Sequence, residues 1–142
     1  VLPAIAMTSD KDQCSFLNEA GRCSIHMFRP GFCRLFPLGR VYDGTGFSYF
    51  LQTGQCKKEH LAKVKVRQWI NIPELKRYEQ FVCDWHYFLK DLAKASQGLS
   101  PELIKTLHSY ILKVFYLTPY QDGSDFYDQF YMRLNDAKKL FL

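Results

Sequence analysis

Arg40-Val41-Tyr42-Asp43-Gly44-Thr45-Gly46-Phe47-Ser48-Tyr49-Phe50-Leu51 is the most legible stretch of this chain. Two runs rich in β-branched and aromatic residues flank Asp43-Gly44-Thr45-Gly46. That composition suits a four-residue hairpin loop between antiparallel strands. Around it, residues 1–56 carry four of the five cysteines, six of the eight glycines and three of the six prolines. Helical periodicity is absent from this half, so a loop-rich region with one hairpin is expected. Val1-Leu2-Pro3-Ala4-Ile5-Ala6-Met7 reads as a strand already under way, and since the chain does not begin with Met we expect it to be a fragment of a longer one.

Beyond residue 56 the grammar changes. Lys63-Val64-Lys65-Val66 alternates, as a short strand or as the entry to a short helix through Trp69. Pro73 suits the first turn of a helix. Leu75, Tyr78, Val82, Trp85, Leu89 and Leu92 recur at steps of three and four, one apolar stripe. Gly98 suits its C-terminal stop. Ser100-Pro101-Glu102 supplies an N-cap, a Pro at the first helical position and an acid near the positive end of the helix dipole. Leu103, Leu107, Tyr110 or Ile111, and Val114 form the buried line of that helix. Thr118-Pro119-Tyr120-Gln121-Asp122-Gly123 ends it, and Ser124-Asp125 opens a third helix with Phe126, Phe130, Leu134, Ala137 and Phe141 inward. The expected fold class is α+β, mainly α: a cysteine-containing half with a hairpin (1–56), then an antiparallel bundle of about three helices (57–142). No linker or repeat separates them, so one domain over 1–142 is expected.

Composition narrows the function classes. Hydrophobic residues make up 47% and aromatics 16%, enough for a folded core rather than disorder. The net charge of +5 is mild, and the basic residues are spread along the sequence, so a solvated surface is expected and nucleic acid is not. No run of 18 apolar residues occurs, so no membrane span and no membrane partner are expected. There is no signal peptide, and the cysteine count is odd. Both favour a reducing, cytoplasmic setting, where clustered cysteines more often bind metal than pair with each other.

Cys14, Cys23, Cys33 and Cys56 are separated by 8, 9 and 22 residues. Four thiolates complete a tetrahedral zinc site or hold a [4Fe–4S] cluster. The usual two-residue knuckle is missing, so spacing alone leaves metal ligation and ordinary free thiols both open. Arg22, Arg29, Arg34 and Arg40 lie near the thiols in sequence, either lowering thiol pKa values or serving as surface residues. His26, three residues after Cys23, is a substitute ligand or a surface histidine. Glu79, Cys83 and His86 share one helix face, a metal-capable set or a half-buried thiol and histidine packing on a neighbour. No nucleophile–base motif or phosphate-binding glycine loop is visible.

The segments Cys14-Ser15-Phe16-Leu17, Gly21-Arg22-Cys23-Ser24-Ile25-His26, Arg29-Pro30-Gly31-Phe32-Cys33-Arg34-Leu35-Phe36-Pro37-Leu38 and Gly54-Gln55-Cys56 resemble the YkgJ-type cysteine-cluster family. That family is described as a zinc- or iron-chelating domain related to the flagellin lysine N-methylase. The resemblance is close over about residues 2–56 and looser in the helical tail. It implies that Cys14, Cys23, Cys33 and Cys56 are the later half of the family's cysteine set. Two departures stand out: His26 occupies the family's Tyr position, and the N-terminal CxxCxxCC run is absent. The implied cofactor is zinc or iron, including [4Fe–4S], with the site incomplete if the missing segment shares it. The expected function is metal binding without an assigned reaction. The alternatives are a protein-methylase-like enzyme, by analogy alone, and an interaction module stapled by its metal, with a protein partner or the missing N-terminal segment as its contact.

Overall fold

The computed structural model describes residues 3–8, 12–55 and 62–142. The chain divides into two compact units, Ile5–Tyr78 and Glu79–Leu142, the latter with Pro3 and Ala4.

In the first unit, Met7 pairs with Cys14 and Leu17 with Cys23 through single antiparallel bridges. The strand expected at residues 1–7 is therefore, among the described residues 3–8, reduced to the one bridge at Met7. A 3-10 turn at His26–Phe28 leads into the short helix α1, Gly31–Leu35. The hairpin follows: β1, Leu38–Tyr42, pairs antiparallel with β2, Phe47–Leu51, in the register Tyr42–Phe47 to Leu38–Leu51. The four-residue loop is as expected, and its chemistry is local. The Asp43 carboxylate accepts from Thr45 N at 3.0 Å and Gly46 N at 2.7 Å, and Gly44 takes a φ of 108°. The alternating Lys63–Val66 stretch enters a helix, α2, Val66–Ile70, closed by Asn71 in the left-handed conformation.

Helix α3, Leu75–Ala95, starts later than Pro73 suggests. Glu74 has a φ of 50°, which no helix accommodates, so Pro73 and Glu74 form a turn before the first helical residue. The boundary between the two units falls within α3's first turn.

The second unit buries one shared apolar cluster. Phe88 and Leu92 come from α3, Leu107 and Ile111 from α4 (Pro101–Leu112), Phe115 from the π-helical segment Lys113–Leu117 that extends it, and Phe130, Leu134 and Ala137 from α5 (Phe126–Phe141). Both helix starts follow the local chemistry. Ser100 Oγ accepts from Leu103 N at 3.3 Å, and Asp125 Oδ1 from Asp128 N at 3.0 Å.

Two stripes are corrected. On α3 the most buried line passes through Phe88 and Leu92, with Phe81 and Trp85 packed on it, while Val82 is only half-buried. Trp85, Leu89 and Leu92 of the expected stripe do reach the core, and aromatic rings join them there: Phe81 and Trp85 both meet Phe130 edge-on, at 4.5 and 5.7 Å between centroids. On α4, Leu103 is 54% exposed and Phe115 takes a core place instead.

Arg133 of α5 closes the end of the π segment. It donates to the carbonyls of Val114, Thr118 and Pro119 at 2.6, 2.9 and 2.7 Å, and lies over the Tyr120 ring at 3.9 Å. A cation is favoured at a helix C-terminus, where carbonyls lack intrahelical partners.

Candidate metal centre

Cys14 and Cys23 each sit at the opening of a turn. Cys14 O accepts from Leu17 N at 3.0 Å, which turns the chain over Ser15 and Phe16. Leu17 then bridges to Cys23, so that turn brings Cys14 and Cys23 back toward one another. The loop between is closed by Asn18. Its side-chain oxygen accepts from Ala20 N at 3.1 Å and Arg22 N at 2.9 Å, and Gly21 supplies a φ of 69°. Cys23 opens a second turn over Ser24 and Ile25, and Ser24 N bonds Phe16 O at 2.8 Å, pinning the two turns together. Cys33 lies inside α1, with its N–H bonded to Pro30 O at 3.0 Å.

The three thiols are free, half-buried and within electrostatic reach of one another. Burial raises the pKa of Cys33, and the neighbouring Cys14 and Cys23 raise it further, against a smaller lowering by Arg29. Like charges gathered at one point disfavour ionisation, and a bound cation reverses that balance by taking the thiolates as ligands. Soft thiolates suit zinc and iron alike. Among the described residues, no three His, Cys, Asp or Glu side chains are already drawn in to the separation of a closed ion site. The donor chemistry of Cys14, Cys23 and Cys33 fits such an ion, whereas a finished coordination shell is not formed by them alone. Cys56 lies outside the described residues.

The nearby arginines divide by role. Only Arg29 acts on the Cys33 thiol in the lowering sense expected of cationic neighbours. Arg34 is a clasp: Nε donates to Arg29 O at 3.2 Å, Nη1 to Asn71 O at 3.2 Å and Nη2 to Met27 O at 2.9 Å. One guanidinium thus ties the residues before Cys33 to the end of α2. Arg40 lies over the rings of Phe47, Tyr49 and Tyr78 at 5.2, 5.8 and 5.5 Å and donates to Tyr78 Oη at 3.2 Å. Sequence position could not separate these roles, because both clasp and cage depend on groups 37 and 38 residues away.

His26 is exposed on the 3-10 turn. In the second unit Cys83 is 8% exposed, and His86 is half-buried with its pKa lowered by burial and by Lys90. No group able to hold a metal forms at Glu79, Cys83 and His86 among the described residues. The sequence signal that was available but not used is the shared Cys-Ser opening of Cys14-Ser15 and Cys23-Ser24, since each pair starts a turn.

The first unit is thus a run of cysteine-bearing turns with a hairpin, and helices follow it. The comparison with known families agrees: residues 3–66, a little under half of the chain, match the model of the CxxCxxCC family, described as a "Putative zinc- or iron-chelating domain". Cys14, Cys23, Cys33 and Cys56 lie inside the matched stretch, and the helices after α2 lie outside it. No curated protein and no solved structure matches the chain. No helix of the described residues is long and apolar enough to cross a membrane.

Proposed function

We propose that Cys14, Cys23, Cys33 and Cys56 form one thiolate centre that binds zinc or iron, and that the ion's first task is to hold the Ile5–Tyr78 unit folded. One observation supports this reading: three free thiols lie within electrostatic reach of one another in a unit whose described residues bury very little. Among its described residues only Ile70, at 1% exposure, is a buried hydrophobic side chain; the other members of the core belong to Glu79–Leu142. A unit of that size without an interior needs a staple, and metal binding supplies folding free energy directly. Nothing among the described residues favours the methylase alternative, and no catalytic residue is assigned.

Two measurements on anaerobically purified protein test the proposal. Elemental analysis should find about one equivalent of zinc or iron, or about four of iron for a [4Fe–4S] cluster, and Cys14→Ser, Cys23→Ser or Cys33→Ser should each lower the content. Absorption near roughly 400 nm would identify an iron–sulfur cluster, and a colourless zinc protein would exclude it. Chelation should then abolish hydrogen-exchange protection in Ile5–Tyr78 while α3 to α5 keep theirs. Full metal content in all three serine variants, or protection unchanged by chelation, would sink the reading.

A further inference from the structure

The turn before Cys33 exposes two consecutive apolar side chains on a hydrogen-bonded backbone. Met27 is 77% exposed and Phe28 86%, consecutive on the one-turn helix, and Phe32 on α1 is 60% exposed. The backbone beneath them is braced. Arg29 Nε donates to His26 O at 3.2 Å, Arg34 Nη2 to Met27 O at 2.9 Å, and Phe28 N to Ile25 O at 2.8 Å. Contiguous exposed apolar surface on a fixed backbone marks a contact site more often than chance placement does.

Charge identifies the partner's sign. From Ala20 to Tyr42 there are four arginines and no acid, and from Ala62 to Pro73 two lysines, one arginine and no acid. The two stretches adjoin, because the Arg34 guanidinium bonds both Met27 O and Asn71 O at the end of α2. Trp69 Nε1 also bonds Phe36 O at 2.9 Å. Arg22, Lys63, Lys65 and Arg67 are exposed. The Arg34 link therefore brings the end of α2 to the backbone of the apolar turn, and Arg67 joins that end through Asn71 N to Arg67 O at 3.1 Å.

We propose that this face is a peripheral docking surface for an anionic lipid bilayer, with Met27 and Phe28 entering the headgroup–acyl boundary and Arg22, Lys63, Lys65 and Arg67 meeting anionic headgroups. Two adjacent protruding side chains, one of them an aliphatic thioether with no flat face for base stacking, suit a fluid apolar boundary. Juxtamembrane cations strengthen such binding on anionic leaflets. The contact is with the surface and involves no spanning helix, and it does not depend on the metal reading.

The test is co-sedimentation of the full chain with vesicles of equal parts phosphatidylcholine and phosphatidylglycerol, against vesicles of phosphatidylcholine alone. Binding is expected to the anionic vesicles, to weaken with added salt, and to fall by at least about tenfold in the Met27→Ser/Phe28→Ser double variant, since apolar burial is lost. Both side chains are exposed, and an unchanged circular dichroism spectrum shows that the double variant folds. Lys63→Glu/Lys65→Glu should lose binding with the apolar turn intact. Absent binding to anionic vesicles, binding undiminished in the double variant, or stronger retention by single-stranded RNA or polyglutamate competing with the vesicles would each overturn the proposal.

Discussion

Replacing Arg34 separates two explanations for a cation beside the candidate centre. As a charge, it favours thiolates, and lysine would do the same. As a clasp, it needs the guanidinium fork, which lysine lacks. The structure supports the clasp, with three bonds to the carbonyls of Arg29, Asn71 and Met27. The half-buried bond contributes about 1.5 kcal/mol and each of the two exposed bonds about 0.5–1, so Arg34→Ala should destabilise the unit by about 3 kcal/mol. An ammonium reaches one of these carbonyls at most, so Arg34→Lys should lose about 2 kcal/mol. Felt wholly at the ion, that loss is about 30-fold in affinity, an upper limit. Zinc affinity is measured by chelator competition in anaerobic reducing buffer. Stability is measured by urea unfolding in a Trp85→Phe background, so that Trp69 alone reports. Wild-type affinity and midpoint in Arg34→Lys, with losses only in Arg34→Ala, would show that charge acts and the clasp does not.

Arg133→Ala should destabilise the Glu79–Leu142 unit by about 2–3 kcal/mol in thermal or urea unfolding, because three carbonyls and the Tyr120 ring lose their partner, and lysine should restore less than half. A methyl group at Gly31 would collide with the Tyr78 hydroxyl, which also receives the Arg40 bond. Gly31→Ala should therefore cost about 1–2 kcal/mol, and the double variant with Tyr78→Phe should recover part of it, a non-additivity that separate effects would not produce. Backbone hydrogen bonds from Thr45 and Gly46 hold the Asp43 carboxyl below the ordinary aspartate range. A depressed folded pKa stabilises the hairpin above the unfolded value and ceases to do so as pH falls through the folded one. The Thr45 and Gly46 amide shifts should therefore titrate with a midpoint below about 3.9, and a midpoint at or above it would contradict the hydrogen-bonded loop.

Short-range chemistry made much of the architecture readable. Ser100 and Asp125 open helices because a side-chain oxygen three residues upstream is enough to satisfy an orphan amide. Asp43 closes its turn within four residues. The motifs around Cys14, Cys23 and Cys33 likewise pointed to a chelating family, and the match over residues 3–66 agrees.

The four candidate cysteines were already visible as a set in the sequence, but not which of them lie near one another. Their intervals of 8 and 9 residues contain no knuckle, and Cys14 and Cys23 are drawn toward one another by two turns pinned by Ser24 N to Phe16 O. The period of α3 indicated an apolar face, yet which residues lay deepest depended on how Phe81, Trp85 and Phe88 meet the rings of α5 and the π segment. Arg34 and Arg40 look interchangeable along the chain, and tertiary structure makes one a clasp on backbone carbonyls and the other the centre of an aromatic cage. Local capping and periodicity are properties of neighbours in sequence, so residues alone determined them. The reach of a long side chain, and the charge felt by a thiol, depend on groups that only folding brings near.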